Sequence, residues 1–484
     1  MISLQINRGS NLALYRQISE HVKTEISNGR LPANTQLPTV RALAKMLGVT
    51  RLTVQNAYSE LRADGWVEAT VGRGTFVSPS VQPYRLEPTV GQYLTPDNAI
   101  NDMMQINQVV GVRSMAMARP DTTLFPVEPF WRSMEKIRFL DKDLFGYGSV
   151  QGDIQLRFEI VRLLEDWGLT AVSPDDLLIT SGVMQGIALV IQVLAKSGEK
   201  IVIDEPSYIG VLSIIKAQGL NPIKIQIGHD GPNLDHLETI FKQEKPKIYY
   251  TIPNFHNPTG ISFSLEKRKA ILELANRYEV MIVEDDIYGR LAYDEEPLPS
   301  IKQFDTQSRV IYLNGFSKML MPGIRVGFIV MVPTLKADLL ALRRAFDLCG
   351  PPFLQRALAE FLRENGFKPH IRKIRPIYKE RRDTLLQALQ AEMPPSVRWT
   401  IPKGGFCNWV SMPRQFAPGE LYRLALQRGF AFTPGEAYDI NRPQEEHFRL
   451  CFGGLTSIGI QATIKQLAQL IRSGSQSSSW LPIV

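Results

Sequence analysis

The sequence predicts a multidomain α/β protein, with a small winged helix-turn-helix first and a mostly parallel sheet covered by helices after it. Three observations predict it. Residues 1–80 hold three short amphipathic helical patterns followed by a Gly-Arg-Gly turn. Further on, apolar strand-like runs alternate with helical stretches. The 484 residues also exceed what one ordinary domain holds.

Composition sets the outer bounds. With 44% hydrophobic and 21% charged residues, the chain is neither disordered nor collagen-like. Cys349, Cys407 and Cys451 are widely spaced and odd in number, which suits a reducing compartment rather than a disulfide framework. Met1 to Ser10 lacks the apolar segment of a signal peptide, and no uninterrupted apolar run of about 18 residues occurs. A cytoplasmic protein that does not span a membrane is expected. The formal charge of +7 is mild for this length, but residues 1–80 set nine basic against five acidic side chains.

Within that basic segment, Leu14, Ile18, Val22 and Ile26 fall on one helical face. So do Val40, Leu43, Ala44 and Leu47, and then Val54, Ala57, Tyr58 and Leu61. Gly48-Val49-Thr50 between the second and third patterns offers a glycine to end one helix and a threonine to start the next. Val67 to Val77 reads as two strands around Gly72-Arg73-Gly74, a compact wing. The polar side of the third helix carries Arg51, Thr53, Gln55, Asn56 and Ser59, residue types that contact phosphates or hydrogen-bond base edges. On an isolated helix such a side is more often a solvated face; the preceding helices and the wing reverse that preference. The stretch resembles the GntR family of regulators over residues 12–78. The resemblance implies that Arg41, Thr50, Arg51, Thr53, Gln55, Gly72 and Arg73 approach double-stranded DNA.

Residues 79–111, with Pro79, Pro83, Pro88 and Pro96, read as a linker. Beyond it, Leu177–Thr180, Ile201–Ile203, Ile248–Ile252, Val280–Val283, Val310–Leu313 and Val326–Val330 are the expected strands. Ligands in such sheets lie beyond the carboxyl ends of the strands, and the unusual residues collect there. Lys318 follows a strand directly, where a lysine can form a Schiff base with an aldehyde cofactor, although most lysines are only solvated. Asp285 ends another strand, where a buried carboxylate needs a partner that a pyridinium nitrogen supplies. Tyr288 and Asn257, the latter in Asn257-Pro258-Thr259-Gly260, can reach the phenolic oxygen of the same ring; alone, Asn-Pro-x-Gly is a routine turn. Ser181, Gly182 and Val183 open a helical run that favours an anion, and Arg325 adds a cation. Tyr208 can stack on the ring, or be an ordinary buried tyrosine. Arg449 can hold a ligand carboxylate in a bidentate fork, or be an ordinary ion-pair residue.

In this order, Asn257-Pro258-Thr259-Gly260, Asp285-Asp286-Ile287-Tyr288, Ser317-Lys318, Pro322-Gly323-Ile324-Arg325 and Phe448-Arg449-Leu450 resemble the fold-type I, class I/II aminotransferases over residues 112–472. The resemblance implies a smaller C-terminal α/β subdomain and pyridoxal 5′-phosphate (PLP) bound through Lys318. It places Asp285 on the ring nitrogen, Asn257 and Tyr288 on the ring oxygen, Tyr208 on the ring face and Arg449 on the α-carboxylate. Ser181, Gly182, Val183, Ser317 and Arg325 surround the phosphate, and Tyr147 reaches the phosphate of a neighbouring subunit, so a homodimer is implied. No metal is expected. Two positions depart from the pattern: Gly315 stands where a phosphate-binding Ser or Thr is common, and Arg119-Pro120-Asp121 replaces an early Gly-Pro-Asp. Ser317 can compensate for the first, and the extra cation of the second alters ligand choice.

The two modules in this order resemble the MocR/GabR-type subfamily of GntR regulators. That implies a regulator in which an amino acid or amine displaces Lys318 to form an external aldimine, with a conformational change reaching paired DNA half-sites. A working aminotransferase carrying a DNA-binding domain is the competing expectation, and a sensor of PLP itself is a third. Residues 473–484, rich in serine, are expected to be a disordered tail.

Overall fold

The computed structural model describes residues 6, 8, 13–27, 30–63, 65–70, 73–79, 103–106, 112–138, 142–413, 418–438 and 447–476. Gly72 and the end of the expected tail, 477–484, lie outside the described residues. The chain divides into two compact units.

The first begins with α1 (Leu14–Ser27), α2 (Val40–Leu47) and α3 (Arg51–Ala63), and continues with the antiparallel wing strands β1 (Val67–Thr70) and β2 (Gly74–Val77). The helices stop and start where local chemistry requires it. Thr39 caps α2 by accepting from the Ala42 amide at 3.2 Å, and Gly48 ends α2 in the left-handed conformation. The Thr50 hydroxyl accepts from the Thr53 amide at 3.1 Å and so caps α3. Ile18, Val22, Leu43, Val54, Ala57, Leu61, Trp66 and Val77 form one buried cluster, the apolar stripes expected from periodicity. Within the expected linker, residues 103–106 form one helical turn with Met103 and Ile106 buried, while 80–102 and 107–111 lie outside the described residues. The strand β3 (Arg113–Ser114) also belongs to this unit.

The second unit is built on an eight-stranded sheet of β4 (Leu177–Thr180), β5 (Lys200–Glu205), β6 (Asn221–Gly228), β7 (Gly231–Pro232), β8 (Ile248–Thr251), β9 (Met281–Asp285), β10 (Val310–Gly315) and β11 (Gly327–Val330). Their spatial order is β4-β11-β10-β9-β8-β5-β6-β7. The run β10-β9-β8-β5-β6 is parallel, whereas β11 is antiparallel to both its neighbours and β7 to β6. Alternate residues of each strand face opposite helical layers. Ile203, Tyr250, Val283 and Ile311 pack in one cluster with the helices Val183–Leu194 and Ile209–Gln218. Val202, Tyr249, Ile282 and Val310 pack in another with Leu234–Glu244 and Leu265–Arg277. Burial on both faces is why these strands read as continuous apolar runs.

A smaller antiparallel sheet follows, in the order β12-β13-β16-β15, from β12 (Arg398–Trp399), β13 (Cys407–Ser411), β15 (Thr433–Pro434) and β16 (His447–Cys451). Between β13 and β15 in the chain, β14 (Phe430–Ala431) pairs in parallel with β3 and is grouped with the first unit. The last helix, Ser457–Gln476, runs past Ser473, where the tail was expected to begin. No described helix is long and apolar enough to cross a membrane.

Candidate cofactor and DNA sites

The chemical residues gather where the carboxyl ends of β5, β8, β9 and β10 meet the small sheet. Asp285 is the last residue of β9 and is buried. It shares the parity of Val283 and so lies on the sheet face covered by the helix Val183–Leu194. Its carboxylate accepts from the Tyr250 hydroxyl at 2.9 Å and from the Ile287 amide at 3.3 Å. Burial raises its pKa to about 6 despite those donors. Lys318, three residues past β10, donates from Nζ to the Ala118 carbonyl at 2.5 Å, and burial lowers its pKa to about 8. Arg449, buried on β16, donates from Nη1 to Asn257 Oδ1 at 2.7 Å and from Nη2 to the Ala116 carbonyl. Its guanidinium also lies over the Tyr438 ring, 5.1 Å from the centroid. With Asn257 Oδ1 so engaged, the amide presents its Nδ2 donor elsewhere. Cys407, Cys451, Arg449 and Asp285 all lie close enough to Lys318 to act on its charge, so residues widely separated in the chain are brought together here.

The other expected residues fall around this centre. Tyr208 is half-buried at the N-cap of the helix Ile209–Gln218, and burial, then Asp285, pushes its pKa up to about 12. Tyr288 is buried, edge-on to Phe406 at 6.0 Å, and burial raises its hydroxyl well above the ordinary range. Gly182 caps the helix Val183–Leu194 at φ 83°, where an added Cβ would stand 2.6 Å from Arg325 Nη2. Arg325 Nη2 in turn donates to the Ser181 carbonyl at 3.0 Å, joining the two loops expected to hold phosphate. The Ser181 amide is already given to Gln185 Oε1 and the Gly182 amide to the Thr180 carbonyl, both at 2.8 Å. The anion donors here are therefore the first-turn amides from Val183 onward, which lack intrahelical partners. Ser317 is buried next to Lys318. Tyr147 stands apart, 89% exposed.

The departure at Gly315 has a steric cause. Gly315 pairs with Gly327, and a Cβ there would lie 3.1 Å from Gly327 Cα, Val183 Cγ2 and the Val326 carbonyl oxygen. A Cβ on Gly327 would meet the Gly182–Val183 backbone at 2.7 Å. The Gly182–Val183 turn is thus seated directly on the ends of β10 and β11. Arg119, at the second departure, runs along Gly454, where an added Cβ would lie 3.0 Å from Arg119 Nε.

Sequence patterns missed Tyr250, the Ala116 and Ala118 carbonyls, and Tyr438. Tyr250 was visible only as one more apolar strand residue, and the carbonyls carry no side-chain signal. These residues fit PLP. Asp285 is a buried carboxylate whose ionised form burial disfavours, a cost that a pyridinium partner would offset, and Lys318 holds a titratable amine against a bare carbonyl.

The aminotransferase class I and II model matches residues 120–467. The chain belongs to that family. Its cofactor is PLP: an α-aminoadipate aminotransferase from Thermus thermophilus, solved with N-(5′-phosphopyridoxyl)-L-leucine, has TM-score 0.73 and 32% identity, covering 78% of this chain and 95% of its own. Residues 14–77 match the model of bacterial regulatory proteins of the gntR family. This aminotransferase-family chain therefore carries a GntR helix-turn-helix. The same architecture extends along an uncharacterized HTH-type transcriptional regulator, YdfD, of Bacillus subtilis, 30% identical and covering 95% of this chain and 97% of the relative. It extends also along a probable rhizopine catabolism regulatory protein, MocR, of Rhizobium meliloti, 27% identical over 99% and 98%.

In the GntR unit, Arg41, Thr50, Arg51, Gln55 and Arg73 are exposed, and Thr53 is half-buried. Thr50 and Thr53 bond to each other at 2.8 Å, so the capping role of Thr50 adds to the DNA contact expected of it. Gln36 Nε2 donates to the Arg73 carbonyl at 2.8 Å and holds the wing against the body.

Proposed function

We propose that the protein is a DNA-binding transcription regulator whose aminotransferase-type domain senses an amino compound through bound PLP. The observation that carries this reading is the fusion itself, which runs the length of HTH-type regulators while keeping lysine, aspartate and arginine in one site. When bound, PLP supplies an electrophilic aldehyde and an electron sink. Asp285 would keep the ring nitrogen protonated, Tyr208 would lie against the ring, and Asn257 with Tyr288 would donate to the ring oxygen. The Val183 amide, Ser317 and Arg325 hold the phosphate. Arg449, which now donates to the Ala116 carbonyl, would take the carboxylate of the incoming amine, and Lys318 would leave the Ala118 carbonyl to hold the cofactor. On DNA, Arg41, Arg51, Gln55 and Arg73 contact phosphates and base edges of paired half-sites. A homodimer is supported by large apolar side chains of the second unit left exposed in the single chain: Trp131, Phe145, Phe158 and Phe346, with Tyr147.

The test is to titrate the PLP-loaded protein with a panel of amino acids and amines while following DNA binding and 2-oxo acid release. A change in DNA affinity with one amine and no sustained turnover supports the sensor. Multiple turnovers with unchanged DNA affinity would overturn it in favour of a working aminotransferase, which the complete residue set around Lys318 also suits. A response to PLP alone assigns the cofactor as effector.

A further inference from the structure

Two of the three cysteines take no part in holding cofactor or ligand. Cys407 on β13 and Cys451 on β16 are buried and directly opposite one another, with their sulfurs 4.0 Å apart. Next to them the Phe452 amide donates to the Phe406 carbonyl, whereas the Cys451 amide turns away to Met115. Antiparallel ladders alternate, so the cysteines occupy a pair without mutual backbone hydrogen bonds, where Cα atoms are about 4.5 Å apart and side chains approach most closely. That separation lies within the roughly 4.4–6.8 Å that a disulfide spans, so the two sulfurs can be joined without moving the strands. Cys451 also follows Arg449 by two residues on the same strand and shares its face of the sheet.

We propose that Cys407 and Cys451 are a reversible oxidation site, a dithiol that a small hydroperoxide converts to an intramolecular disulfide in the wall of the cofactor site. The Cys451 sulfur attacks the terminal peroxide oxygen, the O–O bond breaks, and the alcohol or water leaves with the thiol proton. Cys407 sulfur then attacks the sulfenic sulfur, the S–O bond breaks, and water leaves. Two thiols give up two electrons and one hydroperoxide takes them. Burial opposes ionisation of Cys451, but the hydrogen bond with Cys407 and the Arg449 and Lys318 cations hold its thiol below the ordinary value, which makes it the attacking sulfur. Cys407 is raised by burial and by Cys451, and stays the proton donor. Both sulfurs favour the charged form of Lys318, so oxidation removes a stabilising influence on its ammonium.

The experiment uses the full chain, exposed to hydrogen peroxide, alkylated, digested and weighed, with and without PLP. The expected result is loss of two of the three thiols, a Cys407–Cys451 linked peptide that dithiothreitol removes, and the same outcome in Cys349→Ser. In the PLP-loaded protein, a reading that rests on the proposed function, the pH titration of the visible band moves down on oxidation. Three thiols surviving in native protein but lost in urea would overturn the proposal, as would a linkage through Cys349. A disulfide that leaves both band titration and DNA affinity unmoved would make the pair a structural crosslink. Because thiol loss is read without cofactor, its failure is distinct from failure of the regulator reading.

Discussion

Single residues set the chemistry, and their environments give it measurable signs. In the cofactor-free protein the Asp285 carboxyl sits at about 6, above the ordinary carboxylate value, so its ionisation costs folding energy. The favourable contribution of the protonated form is complete below about pH 4 and is lost as pH rises through 6, a difference of roughly 3 kcal/mol. Asp285→Asn should therefore gain in melting temperature relative to the parent between pH 4 and 7.5 without PLP, and should bind PLP at least tenfold more weakly. A variant whose stability gap ignores pH contradicts this account. Lys318→Ala should lose the visible band of the bound cofactor while retaining fold by circular dichroism. Gly315→Ser, which restores the hydroxyl common at that position, should not tighten PLP; the contacts at 3.1 Å predict a loss of about 1–2 kcal/mol in denaturant unfolding.

At the scale of elements, the winged unit separates capping from reading. Thr50→Ala removes the cap of α3 and should cost about 1 kcal/mol of stability in urea unfolding. Arg51→Ala leaves the cap intact and should lower DNA affinity while reducing the slope of log K against log salt by about one, checked by fluorescence anisotropy at several salt concentrations. The sequence made α1 to α3 legible because each buries a single stripe, and six strands of the large sheet legible because both faces are covered. It concealed β6, where Pro222 and Lys224 interrupt the apolar run near the sheet edge, and the two-residue β7. The site lysine, aspartate and arginine were readable from strand ends and motifs. Tyr250 was not, because its partnership with Asp285 depends on the register of β8 against β9, which no local pattern encodes. Likewise the backbone carbonyls that hold Lys318 and Arg449 depend on how a distant segment packs.

At the scale of the molecule, the large apolar side chains left exposed on the second unit, Phe145 and Tyr147 among them, predict self-association. Analytical ultracentrifugation should give a dimer, and Phe145→Glu should shift it toward monomer and weaken PLP retention if Tyr147 serves the neighbouring site. Lys318, the proposed anchor of the cofactor, follows β10 of the large sheet, and Arg449, the proposed carboxylate partner, sits on β16 of the small one. On that proposal, a ligand carrying both an amine and a carboxylate would work as a caliper. The number of carbons between its amine and its carboxylate would then set the gap at which the two sheets are held, so α-, β- and γ-amino acids of equal charge should impose different spacings on the same protein.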